Sequence, residues 1–215
     1  MKLDDLKIRG AINLSFEEYR DIIAEQERNL FLYGTIQSVD DLEEYFEKSP
    51  TARIAEIIDL CNTQDRDIPV ENRKPIILRI NSPGGDVVEG FSLIDTIENS
   101  ITPVYTINVG QWSSMSFLIG ISGTKRFSYK SSIFLLHDGS SFAGGSTNKV
   151  QDRVKFEERF EENVIKPHVL KHGLMTDKEY EDYKRVELYM LANEAKERGF
   201  IDEIITSIDT ILKVR

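Results

Sequence analysis

Three short segments of this 215-residue chain set polar residues where chemistry is done. They are Ser82-Pro83-Gly84-Gly85, Gly110-Gln111-Trp112-Ser113-Ser114-Met115, and His137 at the end of Ile133-Phe134-Leu135-Leu136. A serine hydroxyl is a weak nucleophile until a neighbouring base takes its proton. Imidazole is the natural base because its ordinary pKa lies near neutral pH. His137 therefore pairs chemically with Ser113 or Ser114. A carboxylate must hold that imidazole in the working tautomer, and backbone N–H groups must receive the oxyanion that forms. Gly84 and Gly85 carry no Cβ and allow close backbone approach. A serine that opens a helix has N–H groups and the helix dipole beside it. As a set the segments point to acyl transfer. Singly, each has a plainer explanation: Ser113 and Ser114 as caps of the helix at Met115, Gly84-Gly85 as a tight turn, and His137 as a structural residue.

The elements that must position these residues follow from hydrophobic spacing. Ile76-Ile77-Leu78-Arg79-Ile80 predicts a strand that stops at the Asn81–Gly85 turn. Val87, Val88, Phe91, Ile94 and Ile97 then share one helical face. Val104 to Val109 predicts a second strand, Met115 to Ile121 a buried helix, and Ile133 to Leu136 a third strand. Each strand thus hands one polar segment to a turn or helix start, and strands alternating with helices indicate an α/β fold. Upstream, Leu30 to Tyr33 predicts a short strand. Helical spacing recurs at Phe16, Tyr19, Ile22 and Ile23, at Leu42, Tyr45 and Phe46, and at Ile54, Ile57, Ile58 and Leu60. Ser15 with Glu18 fits a capping box, and residues 62–74 read as a loop. Downstream, residues 148–172 predict a long amphipathic helix. A further helix opens at Ala192 and stops at Gly199, before Ile201–Ile205.

Composition bounds the function. With 27 Lys and Arg against 37 Asp and Glu the net charge is −10, which disfavours general nucleic-acid binding. No apolar run approaches the roughly 20 residues of a membrane span, and the first residues lack a signal-peptide pattern. The single cysteine, Cys61, excludes an intrachain disulfide and fits a reducing compartment; the expected location is cytoplasmic. No Walker-type loop is present, so no nucleotide cofactor is expected. His168 and His172 lie four apart on the long helix, a metal-compatible spacing. No third ligand is evident in the sequence, so they read as a solvated helix face and no metal is expected.

The same segments resemble the proteolytic subunit of the Clp protease, ClpP. Ile80-Asn81-Ser82-Pro83-Gly84-Gly85 matches that family's INSPGG motif letter for letter. Gly110–Met115 resembles its GQAASM, Leu135-Leu136-His137 its MIH segment, and Glu194-Ala195 with Gly199–Asp202 its EA…GLID tail. The likeness covers residues 28–206 and is poor over 36–75. It implies a ClpP/crotonase-type α/β spiral of β-β-α units. Residues 1–27 would be a helical N-terminal extension, residues 28–215 the protease domain, and residues 148–172 the protruding handle. It also implies Ser114 as nucleophile, His137 as base, and the N–H groups of Gly85 and Met115 as oxyanion hole. Counting back from Glu194-Ala195 puts Glu187 where the family has its triad aspartate, with Asp182 the nearest other carboxylate. Phe142-Ala143-Gly144-Gly145 would supply the strand that pairs with substrate backbone.

The implied activity is a serine endopeptidase acting on peptides or unfolded proteins inside stacked homo-oligomeric rings, fed by an ATP-driven AAA+ unfoldase. Trp112, Ser113 and Ser116 depart from the motif, Trp112 reading best as a core or subunit-contact aromatic. Other readings are an inactive scaffold subunit, a specialised processing protease of phage type, and an acyl-CoA hydratase or isomerase of the crotonase type. The pairing of Ser114 with His137 argues against the last.

Overall fold

The computed structural model describes residues 24–37, 49–139 and 144–212. The helices expected around Phe16–Ile23 and Leu42–Phe46, and the residues Phe142 and Ala143, lie outside the described residues.

Among the described residues seven strands form one sheet: β1 (Asn29–Tyr33), β2 (Ile76–Ser82), β3 (Val104–Ser113), β4 (Lys125–Tyr129), β5 (Ile133–Leu136), β6 (Leu188–Leu191) and β7 (Glu203–Ile205). The path β1-β2-β3-β4-β7 is parallel throughout. Ile76, Ile77, Leu78 and Ile80 of β2 are all buried, as expected of a parallel strand covered on both faces. Helices α1 (Pro50–Asp65), α2 (Val87–Glu98) and α3 (Met115–Ile121) pack with the sheet around the larger core, which holds Ile58, Leu93, Trp112, Phe117 and Phe134. A smaller cluster of Ile77, Ile107, Phe127, Ile205 and Ile211 forms a separate core. The result is the mixed α/β architecture, with a mostly parallel sheet, that the sequence indicates.

The decisive feature for the site is the length of β3. Sequence spacing ends this strand at Val109; in the structure it runs on to Ser113 because it changes partner. Tyr105 to Asn108 pair with Lys125 to Ser128 of β4, and Gln111 to Ser113 pair with Ile133 to Leu135 of β5. Asn108 holds the changeover: its Nδ2 donates to Ile133 O (2.9 Å), and its Oδ1 accepts from Gly110 N (3.0 Å). β5 then turns antiparallel to β6, with Leu136 opposite Leu188.

Three further differences have clear causes. α1 continues four residues into the expected loop because Asp65 is buried and needed there. Its carboxylate takes both Arg28 guanidinium NH groups (2.6 and 2.8 Å) and the Thr102 hydroxyl (2.9 Å). Arg28 holds the Asp65 carboxyl below the usual carboxylate range. Strands β4 and β6 and a short helix α6 (Asp177–Tyr183), opened by a Thr176–Glu179 capping box, were not expected from spacing. The long helix forms as α4 (Thr147–Phe160), a π-helical turn (Glu161–Ile165) and α5 (Lys166–His172). Its Phe160 packs edge-on against Phe91 of α2, whereas Val154 and Phe156 are exposed.

The expected solvated face at His168 and His172 is a correction. His168 is 7% exposed and lies against Leu118 of α3, because the base of the long helix docks on the domain rather than standing in solvent. Glu98, the last residue of α2, meets both histidines from another element, which is why spacing along one helix did not reveal it. The chain closes with α7 (Ala192–Glu197) and α8 (Asp209–Leu212). Among the described residues no helix is long and apolar enough to cross a membrane.

Candidate active site

Ser114 stands between the end of β3 and the start of α3 with φ 55° and ψ −128°. A non-glycine residue with positive φ is uncommon and costs backbone energy. Such a sharp strand-to-helix turn lifts a serine hydroxyl clear of the sheet. The turn is held from several sides. Ser114 N donates to Leu135 O of β5 (3.0 Å), and Ser114 O accepts from Phe117 N (2.9 Å). Ser116, fully buried, receives a hydrogen bond from Ser113 N (2.9 Å), and its hydroxyl donates to Ser82 O (2.6 Å). One hydroxyl thus ties the turn to the end of β2.

The Gly84-Gly85 pair lies directly against this turn. Gly84 has φ +97°, and a Cβ there would sit 2.8 Å from Ser114 Cβ and 2.9 Å from Met115 N. Only a residue without a side chain fits. Gly85 forms a parallel bridge with Ile36; Ile36 N donates to Gly84 O and Asp86 N to Ile36 O, both 2.9 Å. The chain after β1 therefore clamps the glycine turn. Next, Asp86 caps α2 by accepting from Glu89 N (2.9 Å). Met115 N is the first N–H of α3, which has no carbonyl four residues back within the helix to receive it. Two N–H-bearing segments, at Gly85 and at Met115, thus flank Ser114.

His137 follows the last residue of β5 and is half-buried. Its Nε2 is buried and has no hydrogen-bond partner among the described residues, an unusual state for a buried polar atom. Glu187 precedes β6 and is exposed. Continuing the β5–β6 register one residue beyond Leu136 and Leu188 puts Glu187 across from His137, and side chains opposite one another in a strand pair share a face. The Glu187 carboxylate beside the Tyr189 hydroxyl pushes the tyrosine pKa up. Asp182 is exposed on α6. Gly144 and Gly145 are exposed, outside any strand, and precede α4.

Trp112 is fully buried, packed edge-on against Phe134 and closely over Gly120. It is a core aromatic, as its sequence reading favoured. Sequence reasoning missed the positioning parts played by Ser116 and Ile36. Ser116 stood out only as a departure from the family motif, and Ile36 lies in the poorly matching segment.

Comparison with known proteins bears on the family. The family model described as Clp protease matches residues 68–208, a span that includes Gly84, Ser114, His137 and Glu187. The chain is 33% identical over 141 residues to the ATP-dependent Clp protease proteolytic subunit of Streptococcus thermophilus, covering 64% of this chain and 71% of that protein. Its likeness to the subunit of the same name in Streptococcus salivarius is 32% over the same length and shares. A glycine turn pressed on a strained serine, within a largely parallel sheet and with these sequence matches, places the chain in the Clp protease family.

Proposed function

We infer that the protein is a serine endopeptidase of the Clp type. The single observation that carries this reading is the Ser114 turn, held at positive φ with Gly84 pressed against Ser114 and Met115 N. In the proposed reaction Ser114 Oγ attacks the peptide carbonyl carbon while His137 Nε2 takes the hydroxyl proton. The carbonyl oxygen becomes an oxyanion received by the N–H groups of Gly85 and Met115. Collapse breaks the C–N bond, and His137 gives its proton to the leaving amine. Water, deprotonated by His137, then frees the acyl group from Ser114. Glu187 holds the imidazole through its Nδ1–H. The buried Nε2 of His137, with no partner of its own, supports its assignment as the base.

Substrates are peptides and unfolded chains, bound by backbone pairing along Gly144 and Gly145. As in the relatives' printed role as subunits of an ATP-dependent protease, the chain works in a homo-oligomeric ring served by an AAA+ unfoldase. The protease domain is residues 28–215 with residues 1–27 as an N-terminal extension, and the setting is cytoplasmic. An inactive scaffold subunit is the second reading, favoured by the engagement of Glu187 with Tyr189.

Labelling the assembled protein with a fluorophosphonate probe, followed by peptide mapping, separates the two. The protease predicts an adduct on Ser114 that disappears in Ser114→Ala. An assembled ring that takes up no probe sinks the protease reading and leaves the scaffold.

A further inference from the structure

His168 and His172, four apart on α5, present their rings to the same side, and Glu98 reaches them from the end of α2. One ligand atom from each of the three lies within 4.8 Å of the others. His172 Nε2 is 2.7 Å from Glu98 Oε1, and His168 Nδ1 is 3.4 Å from the same oxygen. Neutral His168 cannot satisfy its surroundings in either tautomer. With its proton on Nε2 it donates to Leu118 O (3.0 Å), but the bare Nδ1 then faces the carboxylate oxygen. With the proton on Nδ1 it donates to Glu98, but the bare Nε2 then faces the Leu118 carbonyl. Ser122 Oγ lies 3.5 Å from Nε2 but 2.8 Å from Leu118 O, and donates to the nearer carbonyl.

A coordinated ion removes the clash with His168 left neutral, its Nε2–H fixed on Leu118 O. That is the usual outer-shell partner of a metal-bound imidazole.

We propose that Glu98, His168 and His172 form a binding site for a divalent transition cation of the zinc class. Two imidazoles and one carboxylate are a known zinc set that leaves a fourth position open. Ligand atoms about 3.3 Å apart suit tetrahedral bonds of about 2.0–2.1 Å, so the His168–Glu98 pair is already near this spacing. Lys171 occupies the other Glu98 oxygen (2.5 Å) and leaves Oε1 to the ion. Lys171 and Arg126, which binds His172 O, bring positive charge nearby and weaken the hold on a cation. The site lies at the Leu118–Ser122 end of α3, away from Ser114 at its start. It ties α2 to the base of the long helix and, through Leu118, to α3. Its role is structural, and it does not depend on the protease reading.

The test uses the full chain, stripped with a chelator and dialysed against zinc chloride. Metal content by mass spectrometry is expected to reach about one zinc per chain, and zinc raises the thermal midpoint. Glu98→Gln and His172→Ala, each checked for folding by circular dichroism, weaken zinc uptake by about 10–100-fold or more and abolish the thermal shift. Cobalt(II) in the unmodified chain gives the intense visible bands of a tetrahedral site, a readout that needs no variant. The proposal is overturned if the chain retains no zinc, if both folded variants bind it as the parent does, or if cobalt stays octahedral.

Discussion

Ser114 and His137 follow neighbouring, hydrogen-bonded strands, yet their surroundings differ in kind. Around Ser114 almost every restraint comes from backbone. Leu135 O takes its N–H, Gly84 presses on its Cβ, and the buried Ser116 hydroxyl bridges Ser113 to Ser82. Around His137 and Glu187 the restraints are sparse. The histidine has an unpartnered Nε2, and the exposed glutamate touches Tyr189, itself 58% exposed. A strained turn persists only where its environment over-determines it, so the Ser114 side, proposed as the nucleophile's, is built into the core. Among the described residues the His137–Glu187 side, proposed as the relay, stands on the short β5–β6 ladder without such enclosure. The two sides should therefore fail in different ways.

The largest effect is expected on the relay side, on activity alone. Glu187→Gln keeps the shape but removes the charge that steadies the imidazolium. On the protease reading the rate of fluorophosphonate acylation falls on the order of 10²–10⁴-fold. Unfolding by urea stays unchanged, because the residue is exposed. A variant that labels at the parent rate removes Glu187 from the relay and returns attention to Asp182.

Gly84→Ala attacks the other side and should move stability and labelling together. The new methyl meets Ser113 O at 2.6 Å and Ser114 Cβ at 2.8 Å, in a backbone conformation that side chains avoid. Strain and overpacking together cost about 2–4 kcal/mol. A urea midpoint equal to the parent's would show that the turn yields easily and that the contrast between the two sides is overstated.

Ser116→Ala is the milder version of the same test. It leaves Ser113 N and Ser82 O without their hydroxyl partner in a fully buried place, at a cost of about 1–3 kcal/mol. Labelling of Ser114 is expected to fall with the loss of the tie. Stability lost with labelling unchanged would make Ser116 a core residue only.

How far the sequence foretold this contrast depends on which forces were local. Strand β2 and the Asn81–Gly85 turn were legible because runs of Ile and Leu and a Ser-Pro-Gly-Gly cluster speak for themselves. Ser114 and His137 were legible as strand-end residues. By contrast, the extension of β3 to Ser113 depends on a change of partner at Asn108, which no window along the chain contains. β6 was missed because its four residues Leu188–Leu191 have no alternation and earn their place by pairing with β5. Asp65 and Glu98 were missed for one reason: Asp65 looks like a loop acid and Glu98 like a helix-surface acid until the residues they meet, Arg28 or the two histidines, arrive from elsewhere.

The smallest effect sharpens the comparison most, because it concerns one hydroxyl. The Glu187 carboxylate raises the pKa of the neighbouring Tyr189 hydroxyl. The same carboxylate is the one assigned to His137, so the tyrosine competes with the imidazole N–H for it. Tyr189→Phe removes the competitor without a change of ring, at a position exposed enough for folding to be indifferent. Acylation of Ser114 is then expected to rise by a few-fold, about the value of one solvent-shared hydrogen bond. The rise should be absent when Glu187 is already Gln. A double-mutant cycle over Tyr189→Phe and Glu187→Gln reads this directly. Additive effects would mean that the two residues act apart, and that the relay side lacks its carboxylate. A coupled pair would mean that the relay side is held by a contact a substrate or neighbouring subunit can displace, whereas the Ser114 side is fixed from the start.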